Sequence, residues 1–228
     1  MIILHIETST QVCSVALSES NNCIFSISND EGMNHAALLS SFIQEALNLL
    51  KESGKQLNAV AVSCGPGSYT GLRIGVSTAK GICYGFNIPL ISVSTLEIMT
   101  IEALERQTNA TGDYFIPMID ARRMEVYDAV FDCELNLIRQ VSADIIAEDS
   151  FEDLLSNKAV HFFGNGAAKC KALLKSPNAH FIDDIHPLAQ NMIQPAIQRY
   201  NENKFEDVAY FEPFYLKEFQ TTVPKNKN

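Results

Sequence analysis

The stretch Asn58-Ala-Val-Ala-Val-Ser-Cys-Gly-Pro-Gly-Ser-Tyr-Thr-Gly-Leu-Arg73 joins a strand, a glycine-rich loop and the start of a helix. Its first six residues are mostly apolar and β-branched, which predicts a short buried strand. The glycines at 65 and 67 permit backbone angles and close approaches that are closed to other residues. Ser68 or Thr70 is predicted to cap a helix from about 71 to 86. This geometry suits a phosphate or another anion.

The glycine loop differs from two familiar phosphate-binding loops. A Walker A loop requires Gly-Lys-Ser/Thr, whereas Gly71 is followed here by Leu72 and Arg73. A dinucleotide fingerprint requires G-x-G-x-x-G, and glycines 65, 67 and 71 are spaced one residue too far apart for it. A tight strand-to-helix turn without a ligand is the alternative, and these residues leave both interpretations open.

The predicted helix after this loop contains three glycines, at positions 75, 81 and 85. Each costs about 1 kcal/mol relative to alanine inside a helix. A helix tolerates that cost when something must lie close against it. The close neighbour is either a partner or another part of the same domain.

Composition restricts the class of protein. The chain has 228 residues, 46% of them hydrophobic, which fits one large domain or two small ones. Its net charge of −10 makes it a poor autonomous nucleic-acid binder, because phosphate contacts supply most of that affinity. No apolar run is long enough to cross a bilayer, and the N-terminal apolar run 1–6 is too short for a signal core. We therefore expect a cytoplasmic protein.

Metal-binding patterns are missing from the sequence. Six cysteines are scattered without a C-x-x-C pair, which predicts reduced thiols rather than a zinc site. His35 has Leu39 four residues further on, so there is no H-x-x-x-H pair. We assign no metal ligand to this chain.

The order of predicted elements indicates a duplicated α/β fold. In the first half the strands are 2–6, 12–18, 23–28, 58–63 and 89–93, and the helices are 35–51, 71–86 and 95–107. A polar, turn-prone linker, 108–113, follows. In the second half the strands are 114–119, 125–131, 137–142 and 160–163, with helices at 151–157, from 164 and at 190–201. We predict an N-terminal lobe, 1–107, and a smaller C-terminal lobe, 108–228, each with a mixed sheet and helices.

The helix predicted at 35–51 is unusually apolar. One stripe is formed by Leu39, Ile43, Ala46, Leu47 and Leu50, and a second by Leu38, Phe42 and Leu49. Together they cover about half of the helix, whereas a surface helix has an apolar stripe of about 100°. The sheet can bury one stripe, and the other is predicted to contact a partner.

Several motifs together resemble one protein family. Ser63-Cys-Gly-Pro-Gly-Ser-Tyr-Thr-Gly-Leu-Arg-Ile-Gly75, followed by Ala79-Lys-Gly81, closely resembles the signature of the TsaB (YeaZ) family. Agreement extends to Ile6-Glu-Thr-Ser-Thr10, Asn34-His-Ala-Ala-Leu-Leu39, Asp120-Ala-Arg-Arg-Met-Glu-Val-Tyr127 and Pro213-Phe-Tyr-Leu216. The second half matches more loosely.

The resemblance implies both a fold and a function. The fold would be of the actin/Hsp70/sugar-kinase type, with two lobes. The function would be that of a non-catalytic scaffold or activator in threonylcarbamoylation of the adenosine beside the anticodon of tRNA. Its partners would be the catalytic subunit TsaD, bound through a bundle of the first two helices of each chain, and the small ATPase TsaE. Transfer RNA would be met only through the complex, and ATP with magnesium would bind only there.

The resemblance also places the partner site on the helices at 35–51 and 71–86. The predicted partner-binding residues are His35, Leu38, Leu39, Phe42, Ser68, Tyr69, Arg73, Ile74, Ser77, Thr78 and Gly81. Without the partner, the same surface is expected to form a homodimer. Candidate nucleotide-binding residues are Glu7, Thr8, Gly65 and Gly67. They support the competing hypothesis of a stand-alone ATP-dependent phosphotransferase, in which Glu7 could hold hydrated magnesium or simply form a turn.

Overall fold

The first sheet is organised around the strand predicted at the start of the central stretch. The computed structural model describes residues 1–30, 34–107 and 110–217. The strands are β1 (Ile2–Glu7), β2 (Cys13–Glu19), β3 (Asn22–Asn29), β4 (Ala59–Ser63) and β5 (Leu90–Val93). They lie in the order β3-β2-β1-β4-β5, with β1 to β3 antiparallel and β4 and β5 parallel to β1. All residues of β1 and β4 are buried, as a central strand covered on both faces requires.

The second sheet repeats this arrangement strand by strand. Its strands are β6 (Tyr114–Asp120), β7 (Glu125–Asp132), β8 (Leu137–Ile145), β9 (Val160–Phe163) and β10 (Ala179–Ile182). They lie in the order β8-β7-β6-β9-β10, with β6 to β8 antiparallel and β9 and β10 parallel to β6. The duplicated fold is therefore confirmed, as two lobes of the actin/Hsp70/sugar-kinase type.

Helices cover both faces of the first sheet. The helices are α1 (His35–Glu52), α2 (Tyr69–Phe86), α3 (Thr95–Arg106), α4 (Glu152–Leu155) and α5 (Ile193–Asn201). On one face, buried residues of α1 and α2 pack together with the inward side chains of β1, β2 and β4. On the other face, Met192 and Ala196 at the start of α5 pack against Ile3, Ala61 and Ile91. No helix in the described part of the chain is long and apolar enough to cross a membrane.

Two helices pack against the lobe to which the sequence did not assign them. Leu96 and Met99 of α3 belong to the core beside Phe115 and Phe163 of the second sheet. The helix α5, late in the chain, returns to the first sheet. The predicted division at residue 107 therefore separates the sheets but not the helices that cover them. Of the predicted linker 108–113, the first two positions lie outside the described residues.

The structure of the second half differs from the sequence prediction at three places. The helix predicted from Gly164 is only a 3₁₀ turn, Ala168–Cys170. The strand β10 was not predicted, since its short segment has little apolar alternation. The helix predicted at 190–201 begins as a 3₁₀ turn, Ala189–Met192, and continues as α5 with Pro195 in its first turn, where proline is tolerated.

Candidate functional site: the α1–α2 face and the cleft between the lobes

The glycine loop is closed by the protein's own backbone. The Gly65–Pro66 peptide is cis, and Gly65 has a φ of +107°, a backbone angle that residues with a side chain rarely adopt. A Cβ on Gly65 would lie 2.8 Å from the carbonyl oxygen of Phe214. A Cβ on Gly67 would collide with the carbonyl oxygen of Ser9, which accepts the Ser68 amide proton at 2.6 Å. These glycines therefore allow other segments of the chain to approach closely.

The strand-to-helix turn holds the β1–β2 loop in the same way. The Thr8 hydroxyl donates to the Gly71 carbonyl at 2.8 Å, and a Cβ on Gly71 would collide with the Thr8 carbonyl. A Cβ on Gly75 would collide with the Thr8 hydroxyl. Of the two interpretations left open by the sequence, the geometry favours a tight turn. The role of Thr8, Gly65 and Gly67 in nucleotide binding stays a prediction.

Glu7 is enclosed rather than exposed to a ligand. Glu7 has no solvent-accessible surface, and its Oε1 accepts the Ser9 amide proton at 2.5 Å. Burial raises the pKa of this carboxyl to about 7, against the lowering effect of hydrogen bonds from Ser9, Ser63 and Thr8. A carboxyl in this position forms the turn that the sequence offered as an alternative. Its Oε2 is buried without a hydrogen-bond partner, and magnesium binding by Glu7 stays a prediction.

An open cleft of about 1420 Å³ lies between the two lobes. From the first lobe it is lined by Ser9, Thr10, Gln11, Asp30, His35, 66–71 and Ile74. From the second lobe it is lined by 119–125, Tyr127, Ile145 and Asn165, and from the end of the described chain by 214–217. Four of the predicted partner residues, His35, Ser68, Tyr69 and Ile74, thus line this cleft. His35 Nε2 is hydrogen-bonded to the Thr10 carbonyl at 2.8 Å, which anchors the start of α1 to the β1–β2 loop.

The second-lobe wall of the cleft contains residues that sequence reasoning did not select. Arg122 and Arg123 are exposed at the tip of the β6–β7 hairpin, both with positive φ. Asp120 accepts the Arg122 amide proton at 3.0 Å and forms an ion pair with Lys169. Two consecutive arginines between strands of an acidic chain were the available signal. Their sequence distance from α1 and α2 concealed that they share one cleft.

Fewer apolar side chains of α1 are exposed than its two apolar stripes predict. Leu39 is 1% exposed and Phe42 is 7% exposed, and both belong to the chain's own core. The structure therefore corrects the assignment of Phe42 to an outer stripe, because α2 and the sheet together cover more of α1 than the sheet alone. Leu38 is half-buried at the edge of that core, and Leu49 is 37% exposed. Leu39 and Phe42 are not available for contact in this conformation.

The remaining predicted partner residues lie on the outer surface or at its edge. Ser68, Arg73, Ser77 and Gly81 are exposed, while Tyr69, Ile74 and Thr78 are half-buried. The Arg73 guanidinium lies 4.4 Å from the centre of the Tyr69 ring. These residues form one continuous side of α2. Whether a partner binds there stays a prediction.

The three α2 glycines have different environments. Gly75 faces inward against Thr8, whereas a Cβ on Gly81 or Gly85 would meet nothing within 4 Å. Internal packing therefore explains only Gly75. The other two glycines leave the outer face of α2 bare, near the exposed rings of Tyr84 and Phe86.

Potential metal ligands are not grouped in the described ranges 1–30, 34–107 and 110–217. No three His, Cys, Asp or Glu side chains lie close enough there to hold an ion together. The buried thiols of Cys13 and Cys83 have their pKa values raised to about 11 and about 12 by burial. Such thiols are poor nucleophiles at neutral pH.

Comparison with known proteins adds the family. The family model for TsaD, tRNA N6-adenosine threonylcarbamoyltransferase, matches residues 29–221. The chain is 34% identical over 226 residues to tRNA threonylcarbamoyladenosine biosynthesis protein TsaB of Escherichia coli, covering 95% of both chains. It is 30% identical over 182 residues to the TsaB protein of Bacillus subtilis, covering 77% of this chain and 76% of the relative.

Solved structures agree with these relatives. YeaZ from Pseudomonas aeruginosa is 25% identical and superimposes with a TM-score of 0.74, covering 94% of this chain and 99% of that one. A protein described as similar to peptidase YeaZ from Pseudomonas aeruginosa gives a TM-score of 0.81 at 24% identity, covering 95% and 99%, and supports the fold alone. The resemblance seen in the motifs is thereby confirmed, and the chain belongs to the TsaB (YeaZ) family of tRNA threonylcarbamoyladenosine biosynthesis proteins.

Proposed function

We propose that this chain is a non-catalytic subunit in the formation of threonylcarbamoyladenosine in tRNA. It would act by binding a TsaD-like catalytic subunit through the outer side of α1 and α2. Its relatives are named as biosynthesis proteins of this modification, and the family model that matches the chain is that of the transferase. The binding surface is proposed from the geometry of the two helices.

The observation that carries the proposal is the scarcity of charge on this surface, where Arg73 is the exposed exception on α2. From Asn34 to Gln44, α1 contains no Asp, Glu, Lys or Arg, although such residues number 44 of 228 in the chain. From Ile74 to Phe86, α2 contains one, Lys80, whose ammonium donates to the carbonyls of Ala209 and Phe211 at 3.0 Å each. Depletion of charge and enrichment of aromatic residues are typical of the centre of a protein interface.

The bare glycines indicate how a partner would bind. Gly81 and Gly85 lie one helical turn apart, with open space where a Cβ would be. Each costs about 1 kcal/mol of helix stability, and no packing inside the described chain offsets that cost. Close approach of another helix would offset it, because small residues allow two backbones to come near each other. A helical bundle with the partner fits this face.

A catalytic role is not supported by the groups that would have to perform it. The competing phosphotransferase needs a phosphate loop and an accessible carboxylate. The loop at Gly65 and Gly67 is filled by the Ser9 and Phe214 carbonyls, and Glu7 has no exposed surface. On our proposal, ATP and magnesium are bound only in the assembled complex. A TsaE-like ATPase and tRNA join through the catalytic subunit, and the free chain forms a homodimer.

A charged side chain on the bare face tests the proposal. Gly81→Arg adds bulk and charge where nothing lies within 4 Å, so the free chain should fold as before. We expect it to lose co-purification with the TsaD-like subunit and to fail to restore the tRNA modification in cells lacking the native chain. Gln140→Arg, on exposed β8 of the second lobe, is the matched control and should do neither. Full complex formation by the Gly81 variant would contradict the proposal.

Calorimetry separates the proposal from the competing enzyme. The isolated chain is titrated with ATP and magnesium and assayed for phosphate release. We expect no binding at micromolar concentrations. Micromolar affinity together with turnover that is lost in Glu7→Ala would favour the phosphotransferase instead.

A further inference from the structure

The segment from Glu206 to Lys217 runs along the first lobe without forming a helix or a named strand. It follows α5 and touches a succession of elements that are far apart in sequence. We call this segment the C-terminal strap. It is also the part of the chain that fills the glycine loop and ends in the cleft.

The strap is attached first to the edge of the sheet and then to α2. The Glu206 amide donates to the Leu90 carbonyl at 2.9 Å, and the Ser92 hydroxyl donates to Glu206 Oε1 at 2.5 Å. Farther on, the Lys80 ammonium donates to two strap carbonyls at 3.0 Å. The only Lys or Arg in the second half of α2 is therefore used to hold the strap.

The next attachment lies at the glycine loop and the first turn of α2. The Phe214 amide donates to the Cys64 carbonyl at 2.7 Å, at the end of β4. The Tyr215 ring lies 5.0 Å from the Tyr69 ring, and Tyr69 in turn lies beneath the Arg73 guanidinium. The side chains at the start of α2 are thus positioned by a segment more than a hundred residues away.

The last attachment crosses the cleft. The Lys217 ammonium forms an ion pair with Glu125, at the start of β7 in the second lobe. The carbonyl of Glu125 accepts a second ammonium, that of Lys169, at 2.6 Å. The strap thereby joins the start of α2 to the hairpin that carries Arg122 and Arg123.

We propose that the C-terminal strap positions the first turn of α2 and ties the second lobe to it across the cleft. The two walls of the cleft should then move together, because residues 214–217 contact both of them. Release of the last part of the strap, 214–217, should loosen the start of α2 while leaving its second half, held at Lys80, in place. This inference concerns the free chain and does not depend on the proposed function.

Hydrogen–deuterium exchange of the whole protein tests the first half of the proposal. Tyr215→Ala removes the ring contact with Tyr69, and we expect amides in 69–76 to exchange about tenfold faster. Amides in 80–86 should keep their rates. Tyr215→Phe retains the ring and loses only the hydroxyl that interacts with Arg73, so its amides in 69–76 should exchange more slowly than those of Tyr215→Ala. Tyr210→Ala is the matched control, because Tyr210 is in the same strap but 85% exposed.

Equal exchange in the Tyr215→Ala and Tyr210→Ala variants would overturn this half of the proposal. So would acceleration along the whole of α2, which would indicate general destabilisation rather than local positioning. Because no partner is present in the experiment, neither outcome bears on whether the α1–α2 face binds TsaD.

A charge exchange tests the second half. Lys217→Glu and Glu125→Lys each place like charges opposite each other, and we expect faster exchange of the Phe214 amide in either variant. The double variant restores an ion pair of reversed polarity and should restore slow exchange. If both single variants leave the Phe214 amide unchanged, or the double variant fails to restore it, the connection across the cleft is refuted.

Discussion

The two lobes share one sheet topology but differ in what covers it. In the first lobe, the connections after β3 and β4 are the 18-residue helices α1 and α2. In the second lobe, the equivalent connections after β8 and β9 contain α4, of four residues, and a 3₁₀ turn of three. A sheet of this topology can therefore be covered on this face by short helical segments. The long helices of the first lobe provide an outer surface that its core does not require.

The equivalent strand ends show the same contrast. β1 ends at Glu7 and β6 ends at Asp120, in matching positions of the two sheets. Glu7 is wholly buried beneath the β1–β2 loop, whereas Asp120 is exposed and paired with Lys169. One position has become part of a closed turn, and the other lies open in the cleft. Duplication preserved the backbone while the surroundings of its carboxyl groups diverged.

The glycines after the parallel strands give the largest expected difference between the lobes. In Gly71→Ala the new Cβ collides with the Thr8 carbonyl, and we expect a loss of about 3 kcal/mol in the free energy of unfolding. In Gly166→Ala the nearest atoms are backbone and Val126 at 3.0 Å, so a loss of about 1 kcal/mol should suffice. Urea unfolding measures both. Equal losses would mean that the two turns are packed alike.

The buried carboxyl of the first lobe should make stability depend on pH. The pKa of Glu7 is raised from 4.5 to about 7, so between these values the unfolded chain loses a proton that the native chain keeps. The contribution of Glu7 to the free energy of unfolding therefore falls by roughly 3 kcal/mol as pH rises from 4.5 to 7, and changes little at higher pH.

Glu7→Gln should remove that dependence. We expect the stability difference between the variant and the unaltered chain to change by roughly 3 kcal/mol, in favour of the variant, between pH 4.5 and 7.5. Urea unfolding at four pH values is the measurement, and the change with pH is independent of any fixed cost of substitution. Parallel pH curves for the two proteins would show that folding does not raise the pKa of Glu7.

The outer face of α2 should gain stability when its bare glycine is filled. Gly85→Ala adds a methyl group in open space and reduces the flexibility of the unfolded chain, so we expect a gain of about 1 kcal/mol. Thermal unfolding of the free chain measures it. A loss of stability in Gly85→Ala would mean that the face is already covered in solution, as in a tight homodimer.

The exposed carboxyl of the second lobe, Asp120, should contribute least to the free energy of unfolding. Asp120→Asn keeps the oxygen that accepts the Arg122 amide proton and loses the ion pair with Lys169. The Asp120 side chain is 47% exposed, so we expect a cost of about 0.5 kcal/mol, decreasing with added salt. Chemical unfolding at low and high salt provides the check. A cost approaching that of Gly71→Ala would contradict the contrast between the two strand ends.

Local patterns in the sequence were sufficient for most of the fold. Alternation and apolar runs located nine of the ten strands that the described residues form. The repeated order of elements predicted the duplication, because the burial of a strand is visible in the pattern of its own residues. The motif around Gly65 was sufficient for the family. The pattern failed at β10 and after Gly164, where short segments carry too few residues for a period to be visible.

Other features were decided only by tertiary structure, because they depend on which distant segments meet. The sequence shows that Gly65, Gly67 and Gly71 need close neighbours, but not that the neighbours are the carbonyls of Phe214, Ser9 and Thr8. It shows that α1 is apolar, but not that Phe42 is buried beside α2. It places Lys217 far from Glu125 along the chain, and only the folded chain brings them together across the cleft. A residue's own type determines what environment it tolerates, whereas packing determines which environment it receives.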